Sequence, residues 1–492
     1  MTDTIRFLLG DEQREVRGVD PAITVLEYLR QVEHRTGTKE GCAEGDCGAC
    51  TVVIGELHNG GVRYRSVNSC IQLLPFVDGK QVLTVEDLKQ ADGSLHPVQQ
   101  AMVDEDGSQC GFCTPGFVMS LYAMYLQPDQ QTPSRRQIND QVAGNLCRCT
   151  GYAPIVRAGV KVLGQDRALR SDGDLTRTRL EQLQTADALQ MEFEQRRYYA
   201  PKTVAGLCEL LDQHPDACII AGATDVGLWI TKDLEVLQTI IYIGNIDELK
   251  YLTVDKDQGL IRIGAGTTYS DAMATISHHY PGFSTLLRRL GAVQVRNTGT
   301  LAGNIANGSP IGDMPPGLIA AGSKIIVRSK TGSRTLALED FFIDYGKQDL
   351  AVNEFVEAIL LPLPDPASQF RTYKICKRFD QDISAVCAAF SLTLDNGRVD
   401  RVRIAYGGMA ATPKQASHCE AALKGQAWDQ ATVDKARQAL EQDFTPISDL
   451  RASRDYRLLS AKNLLQRFFL ETRTLDYPVR LSGQPEPAYV EE

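Results

Sequence analysis

The sequence predicts a multidomain α+β protein, on three observations. The chain is 492 residues long, more than a single hydrophobic core usually serves. Eight of its 13 cysteines fall before residue 150 and the other five are scattered singly, so the first third differs chemically from the rest. Beyond residue 195, short apolar strands alternate with Gly-rich turns and helices, in two stretches separated by the Pro-rich "LPLPDPAS" at 361–368.

Composition sets the outer limits. With 43% hydrophobic and 23% charged residues the chain has a globular make-up. Its formal net charge of -10 argues against nucleic acid as a partner, because no basic stripe is available to replace phosphate counterions. The start "MTDTIRFLLGDEQ" lacks the cationic and apolar parts of a signal peptide, and no apolar run reaches the length of a membrane span. A cytoplasmic protein with no membrane contact is expected. In that reducing compartment cysteines serve as ligands or buried thiols rather than disulfides. Cys208, Cys218, Cys376, Cys387 and Cys419 suit the buried, structural role.

Taken in order, residues 1–80 begin with two strands joined at Gly10 and Asp11, followed by a helix entered near Pro21. A cysteine loop, the strand "CTVVIGEL" and a strand ending at "YRSVNSC" follow, which makes one helix over a small mixed sheet. Residues 81–165 read as four helices, "HPVQQAMVDE", "TPGFVMSLYAMYLQ", "TPSRRQINDQVAGN" and "APIVRAGVKVLG". Thr114 with Pro115, and Thr132 with Pro133, fit an N-cap followed by proline at the first helical position. Residues 166–195 are polar and charge-mixed, as in a linker. An α+β domain over 196–366 and a second over 367–482 complete the chain. In the latter, Asn396 and Gly397 have hairpin-turn chemistry and two helices close the fold.

The chemistry lies in the first eight cysteines. Cys42, Cys47, Cys50 and Cys70 have C-x4-C-x2-C spacing with a distant fourth, the plant-type arrangement for a [2Fe-2S] cluster. Such a loop must turn backbone N–H groups toward the sulfurs, and Gly41, Gly45 and Gly48 are expected to supply the unusual φ values. Glu40, Glu44 and Asp46 are expected to face solvent. Cys110 with Cys113, and Cys147 with Cys149, each lie just before a predicted helix. Two helix N-termini would then aim at one anionic group, which suits a second [2Fe-2S] cluster. Structural zinc is the alternative at both places. It usually takes two short-spaced pairs, which the first quartet does not offer and the C-x-C of the second offers only tightly. A zinc-stapled interaction scaffold is therefore the rival from another class.

At these residues the chain resembles the molybdenum hydroxylase family. "GCAEGDCGAC" and "QCGFCTPGF" with "NLCRCTGY" are similar to that family's paired iron-sulfur signatures. The order of parts resembles the small subunit of its bacterial, two-subunit, purine-oxidising members. The resemblance implies a β-grasp ferredoxin-like domain, a four-helix [2Fe-2S] domain, an α+β FAD-binding domain of non-Rossmann type and a C-terminal α+β domain. Consistently, "GAGTTY" at 264–269 lacks the last glycine of a dinucleotide fingerprint and reads as a turn.

By motif, Ile219, Ile220, Ala221, Gly222, Ala223, Thr224, Asp225 and Val226 match the family loop that wraps the FAD pyrophosphate. Gly222 would let the backbone approach, and Thr224 with backbone amides would donate to phosphate oxygens. Thr300, Leu301, Ala302, Gly303 and Asn304, with Ser309 and Asp313, match a second FAD segment. Leu290 and Leu360 fall where the family places apolar flavin contacts, and Lys374 where it places a polar one; at Leu290 some relatives have an aromatic residue instead. Asp380 and Asp382, in "KRFDQDISAV", match the loop guarding the nicotinamide entrance.

For function the resemblance implies an oxidoreductase subunit of purine catabolism that transfers electrons. A partner chain with the molybdenum cofactor would hydroxylate hypoxanthine or xanthine. Electrons would pass through two [2Fe-2S] clusters to FAD and on to NAD+, in a heterotetramer built as a dimer of heterodimers. No catalytic residue for the purine step is expected here, since the assigned domains leave no room for a molybdopterin-binding half. Two further readings are a subunit serving aldehyde or N-heterocycle oxidation and a self-sufficient NADH-oxidising flavoprotein.

Overall fold

Strand Ile5–Leu9 buries four of its five side chains and becomes the spine of the first sheet. It pairs antiparallel with Glu12–Val16 across the Gly10-Asp11 turn and parallel with Gln81–Leu83. Thr51–His58 then joins Gln81–Leu83 to the edge strand Gly61–Asn68, both antiparallel. The structure, a computed structural model, describes residues 2–90, 92–127, 132–165 and 173–473. One short helix, Val25–Glu27 continuing as the wider turn Tyr28–Val32, covers this sheet, giving the expected β-grasp. Its first turn starts at Thr24 rather than near Pro21, because Thr24 and Glu27 form a reciprocal capping box.

The four expected helices are Pro97–Asp104, Thr114–Tyr125, Arg135–Val142 and Ala153–Leu163. Two of their caps differ from the sequence reading. Cys113, not Thr114, is the cap residue of the second. Ser134, not Thr132, caps the third: its Oγ accepts the Gln137 N–H while Gln137 Oε1 accepts the Ser134 N–H. A capping box needs Glu or Gln three residues on, and Ser134 has it where Thr132 has Arg135.

The stretch 166–195, expected as a linker, carries helix Gly173–Leu183 and strand Leu189–Phe193; its residues 166–172 lie outside the described residues. The helix packs Leu180 and Leu183 against Leu8 of the first sheet. Such a narrow apolar stripe leaves the composition polar, and that hid the helix.

Strand Leu189–Phe193 pairs with Arg196–Ala200, which runs parallel to Thr239–Tyr242 and through it to Cys218–Ile220. A second sheet, all antiparallel, has the order Leu252–Asp255, Leu260–Gly264, Phe355–Pro362, Lys324–Ser329, Gly332–Ala337. Beyond it, strands Gln369–Ile375, Val386–Asp395, Arg398–Gly407 and Lys414–Gln415 form an antiparallel sheet. Asn396 and Gly397, both at positive φ (49° and 75°), make its tight turn as their chemistry requires. Helices Gln430–Asp443 and Arg454–Thr472 close this last unit.

The β-grasp sheet does not have a core of its own. Phe7, Leu9 and Phe76 pack in one apolar cluster with Met191, Tyr198 and Ile240 of the next sheet. Phe76 stacks on Tyr242 with ring centroids 4.0 Å apart and planes 12° apart. No helix among the described residues is long and apolar enough to cross a membrane.

Candidate iron-sulfur and flavin sites

The loop 41–50 folds its thiols inward by local backbone choices. Gly45 (φ 78°) and Gly48 (φ 68°) adopt the left-handed conformation, and so does Ala43 (φ 54°). Gly41 does not; its role is space, since a Cβ there would lie 2.6 Å from Cys47 Sγ. The N–H groups of Glu44, Asp46 and Cys47 point at Cys42 Sγ, 3.3 to 3.4 Å away. Cys50 and Cys70 are buried with sulfurs 3.3 Å apart. Cys42 is hydrogen-bonded to both Cys47 and Cys70, so the four thiols form one group. Of the three carboxylates expected in solvent, only Glu40 is exposed; Glu44 meets Lys232, with Nζ 3.7 Å from Oε2, and burial pushes the Asp46 carboxyl up.

Hydrogen bonds from Cys47 and Cys70, joined by the amides, hold the Cys42 thiol far below its ordinary range. The Cys42 contact pushes Cys47 up, and contacts with Cys42 and Cys50 push Cys70 up. Four thiols this close cannot all ionise unless multiply charged cations replace the protons. The donor set, with amides aimed at sulfur, fits a binuclear iron-sulfur group.

The second quartet lies between two helix starts. Cys113 caps Thr114–Tyr125, and Cys147 and Cys149 precede Ala153–Leu163. Cys113 contacts Cys147, and Cys110 contacts Cys149. Burial, then Cys147, pushes the Cys113 thiol up to about 12. Burial would also raise Cys147, but hydrogen bonds from Thr150 and Cys149 outweigh it and hold that thiol below its ordinary value. Unlike the first quartet, this one reaches the surface. Cys110 and Cys149 are exposed, and beside them Phe112, Leu146 and Tyr152 are 48%, 38% and 38% exposed.

The two quartets are joined directly. Leu146 N–H, next to Cys147, donates to the Cys47 carbonyl at 2.9 Å. Asn145 Nδ2 donates to the Gly48 carbonyl at 2.9 Å and to Thr51 Oγ1 at 3.2 Å. Gln294, 1% exposed, donates through Nε2 to Ser120, Asn145 and Thr51, so three of the chain's parts, the β-grasp, the four-helix unit and the 196–366 unit, meet at this amide. Gly48 is required here, because a Cβ would lie 2.1 Å from the Gly144 carbonyl oxygen.

A cavity of about 490 Å³ opens at the end of strand Cys218–Ile220. Ile219, Ile220, Ala221, Gly222, Ala223, Thr224, Asp225 and Val226 line it, together with Leu290, Thr300, Ala302, Gly303 and Asn304. Thr300 caps helix Leu301–Asn307, its Oγ1 accepting the Gly303 N–H at 3.0 Å. Asn304 and Tyr269 both line this cavity, and their buried polar atoms, Asn304 Oδ1 and Tyr269 OH, have no partner within the protein. A cavity of this size, lined by a glycine-containing loop and the start of a capped helix, fits a large polar ligand such as FAD.

The other expected residues lie elsewhere. Leu301 is fully buried in the core. Ser309 accepts the Ile311 N–H, and Leu360 lies on strand Phe355–Pro362. Asp313 and Lys374 form a nearly buried pair at 2.5 Å, with the Ser384 hydroxyl also donating to Asp313 at 2.5 Å. Asp382 accepts the Arg378 N–H at 2.8 Å, and Asp380 is exposed on the same loop, where Arg289 sits over the Phe379 ring at 4.4 Å.

Sequence reasoning missed Tyr269, Gln294, Asn145 and Gln72. Tyr269 closes the "GAGTTY" turn, which holds as a turn ending in the Thr268 cap of helix Tyr269–His279. Gln72, two residues past Cys70, donates through Nε2 to the Gly222 carbonyl at 2.9 Å.

Four stretches match known families. Residues 8–71 match a 2Fe-2S iron-sulfur cluster binding domain and 84–160 a [2Fe-2S] binding domain. Residues 191–364 match the FAD binding domain in molybdopterin dehydrogenase, and 371–472 the CO dehydrogenase flavoprotein C-terminal domain. The chain therefore carries the iron-sulfur and flavin domains of the molybdenum hydroxylase family.

Within that family the likeness is to xanthine dehydrogenases. The enzyme of Emericella nidulans is 32% identical over 503 residues, 90% of this chain and 36% of that protein. That of Oryza sativa subsp. japonica is 31% identical, over 86% of this chain and 36% of the other. The chain thus spans about a third of the length of these relatives. Among solved structures it is similar to carbon monoxide dehydrogenase from Hydrogenophaga pseudoflava, which there lacks the Mo-pyranopterin moiety of its molybdenum cofactor. The TM-score is 0.53 and the identity 28%, over 55% of this chain and 94% of that one.

Proposed function

We propose that this chain is the electron-transfer subunit of a xanthine dehydrogenase, drawing electrons from a partner that carries the molybdenum cofactor and delivering them to NAD+. One observation carries the reading: two cysteine quartets and a flavin-sized cavity are tied together by hydrogen bonds within one polypeptide. Bound here, two [2Fe-2S] clusters supply one-electron transfer and FAD exchanges single electrons for the pair that a nicotinamide accepts.

The residues divide that work. Cys42, Cys47, Cys50 and Cys70 hold one cluster, with the loop amides offsetting thiolate charge; Cys110, Cys113, Cys147 and Cys149 hold the other. Exposed Cys110 and Cys149, flanked by Phe112 and Tyr152, form the face on which the hypoxanthine- or xanthine-hydroxylating partner docks. The buried quartet follows, since Gln72 and Leu228 set it against the flavin loop. Residues 219–226, with Thr300, Ala302 and Gly303, hold the pyrophosphate, and Asn304 and Tyr269 line the same cavity. The loop bearing Asp380 and Asp382 borders the NAD+ approach. A cytoplasmic heterotetramer completes the reading.

The test is to isolate the native complex, count iron and flavin per chain, and assay NAD+ reduction with xanthine and with aldehydes. Four irons and one FAD per chain with xanthine-dependent NADH formation are expected. Zinc in place of iron, or aldehydes as the sole electron donors, would overturn the proposal.

A further inference from the structure

Helix Val226–Thr231 leaves the flavin loop and ends against the first cysteine loop. Leu228 packs on Cys50, Cys70 and Ile71, and Thr231 Oγ1 donates to the Ala43 carbonyl at 2.7 Å. The next residue, Lys232, donates through Nζ to the carbonyl of Cys42 itself at 3.1 Å. Glu44, whose N–H points at Cys42 Sγ, places its carboxylate 3.7 Å from the same ammonium. A cation and an anion from two parts of the fold thus meet at one ligand residue.

We propose that Lys232 and Glu44 set the reduction potential of the buried cluster in opposite directions. The inference rests on the reading that the Cys42 quartet holds a [2Fe-2S] group. Reduction adds one electron and one negative charge to the cluster and its thiolates. A nearby positive charge favours that state and a nearby carboxylate opposes it. The ammonium, bonded to the ligand's own carbonyl, makes this cluster a better receiver of electrons from the outer one. Both side chains are partly solvated, at 44% and 39% exposed, so salt must weaken the effect.

The experiment is a redox titration of the purified full chain, with dithionite as electron donor and mediators present, read by electron paramagnetic resonance at low ionic strength. Cys47→Ser identifies which signal belongs to the buried quartet. Lys232→Met is expected to lower the midpoint of that signal and Glu44→Gln to raise it. Lys232→Arg should stay near wild type, and added salt should shrink the Lys232→Met shift. The signal of the Cys110 quartet should not move. An unchanged or raised midpoint in Lys232→Met, or equal shifts of both signals, overturns the inference. If Lys232→Met fails to assemble, Glu44→Gln decides: a rise supports the inference and no change overturns it. A wild-type chain lacking two [2Fe-2S] signals would instead sink the underlying reading.

Discussion

At Gly222 the loop proposed to hold the flavin has no room to spare, because a Cβ there would lie 2.0 Å from the Thr298 carbonyl oxygen. Gly222→Ala must push the loop away from its neighbour, and the Gln72 bond to the Gly222 carbonyl goes with it. Flavin content per chain should fall severalfold while both iron-sulfur signals persist, as read by absorbance and metal analysis. The thiols give a matching pair of outcomes: Cys50→Ser should remove one paramagnetic signal and Cys113→Ser the other. The eight proposed ligands stood out in the sequence because ligation needs particular atoms at short spacing, and seven of them fall in C-x4-C-x2-C, C-x2-C and C-x-C arrays, with Cys70 apart. Gln294 did not. Its partner Thr51 is 243 residues away, and a lone glutamine has no local pattern.

Helix starts turn on the same local logic. Ser134 and Gln137 close a capping box at the start of Arg135–Val142, so Ser134→Ala should cost about 1 kcal/mol. Thermal denaturation should show a small, uniform loss, with iron content unchanged. Elements with a strong period or a capping signal could be read ahead, among them the strand pair around Gly10 and the four helices of the second unit. Helix Gly173–Leu183 could not, because its periodic signal reduces to Leu180 and Leu183 against Leu8. In the first cysteine loop, Gly45 and Gly48 met the backbone expectation. Ala43 took a left-handed conformation that its side chain disfavours, and no sequence rule anticipates that.

Across the whole molecule, polar contacts join parts that sequence order separates. Arg63 and Arg65 of strand Gly61–Asn68 both bind Asp271 at the start of helix Tyr269–His279. Burial would raise the Asp271 carboxyl, but hydrogen bonds from Arg65 and Thr268, with the charge of Arg63, outweigh it and hold it below its ordinary value. A depressed folded-state pKa means this stabilisation is fully present above the unfolded value of about 3.9 and lost as pH falls through the lower folded one. Wild type should therefore lose more urea resistance between pH 6 and pH 3 than Asp271→Asn, and the gap between them should close in acid. Gln294→Ala, which takes one hydrogen bond from each of three buried groups that keep another partner, should cost about 1–3 kcal/mol and lower the first unfolding transition in denaturant.

The Phe76–Tyr242 stack and its apolar surroundings bear on how such a chain can be divided. A gene severed in the connection at 166–172 would yield two products, each presenting a raw greasy face where the other belongs. Made separately, they should clump; made together, they should find one another and rebuild the uncut article.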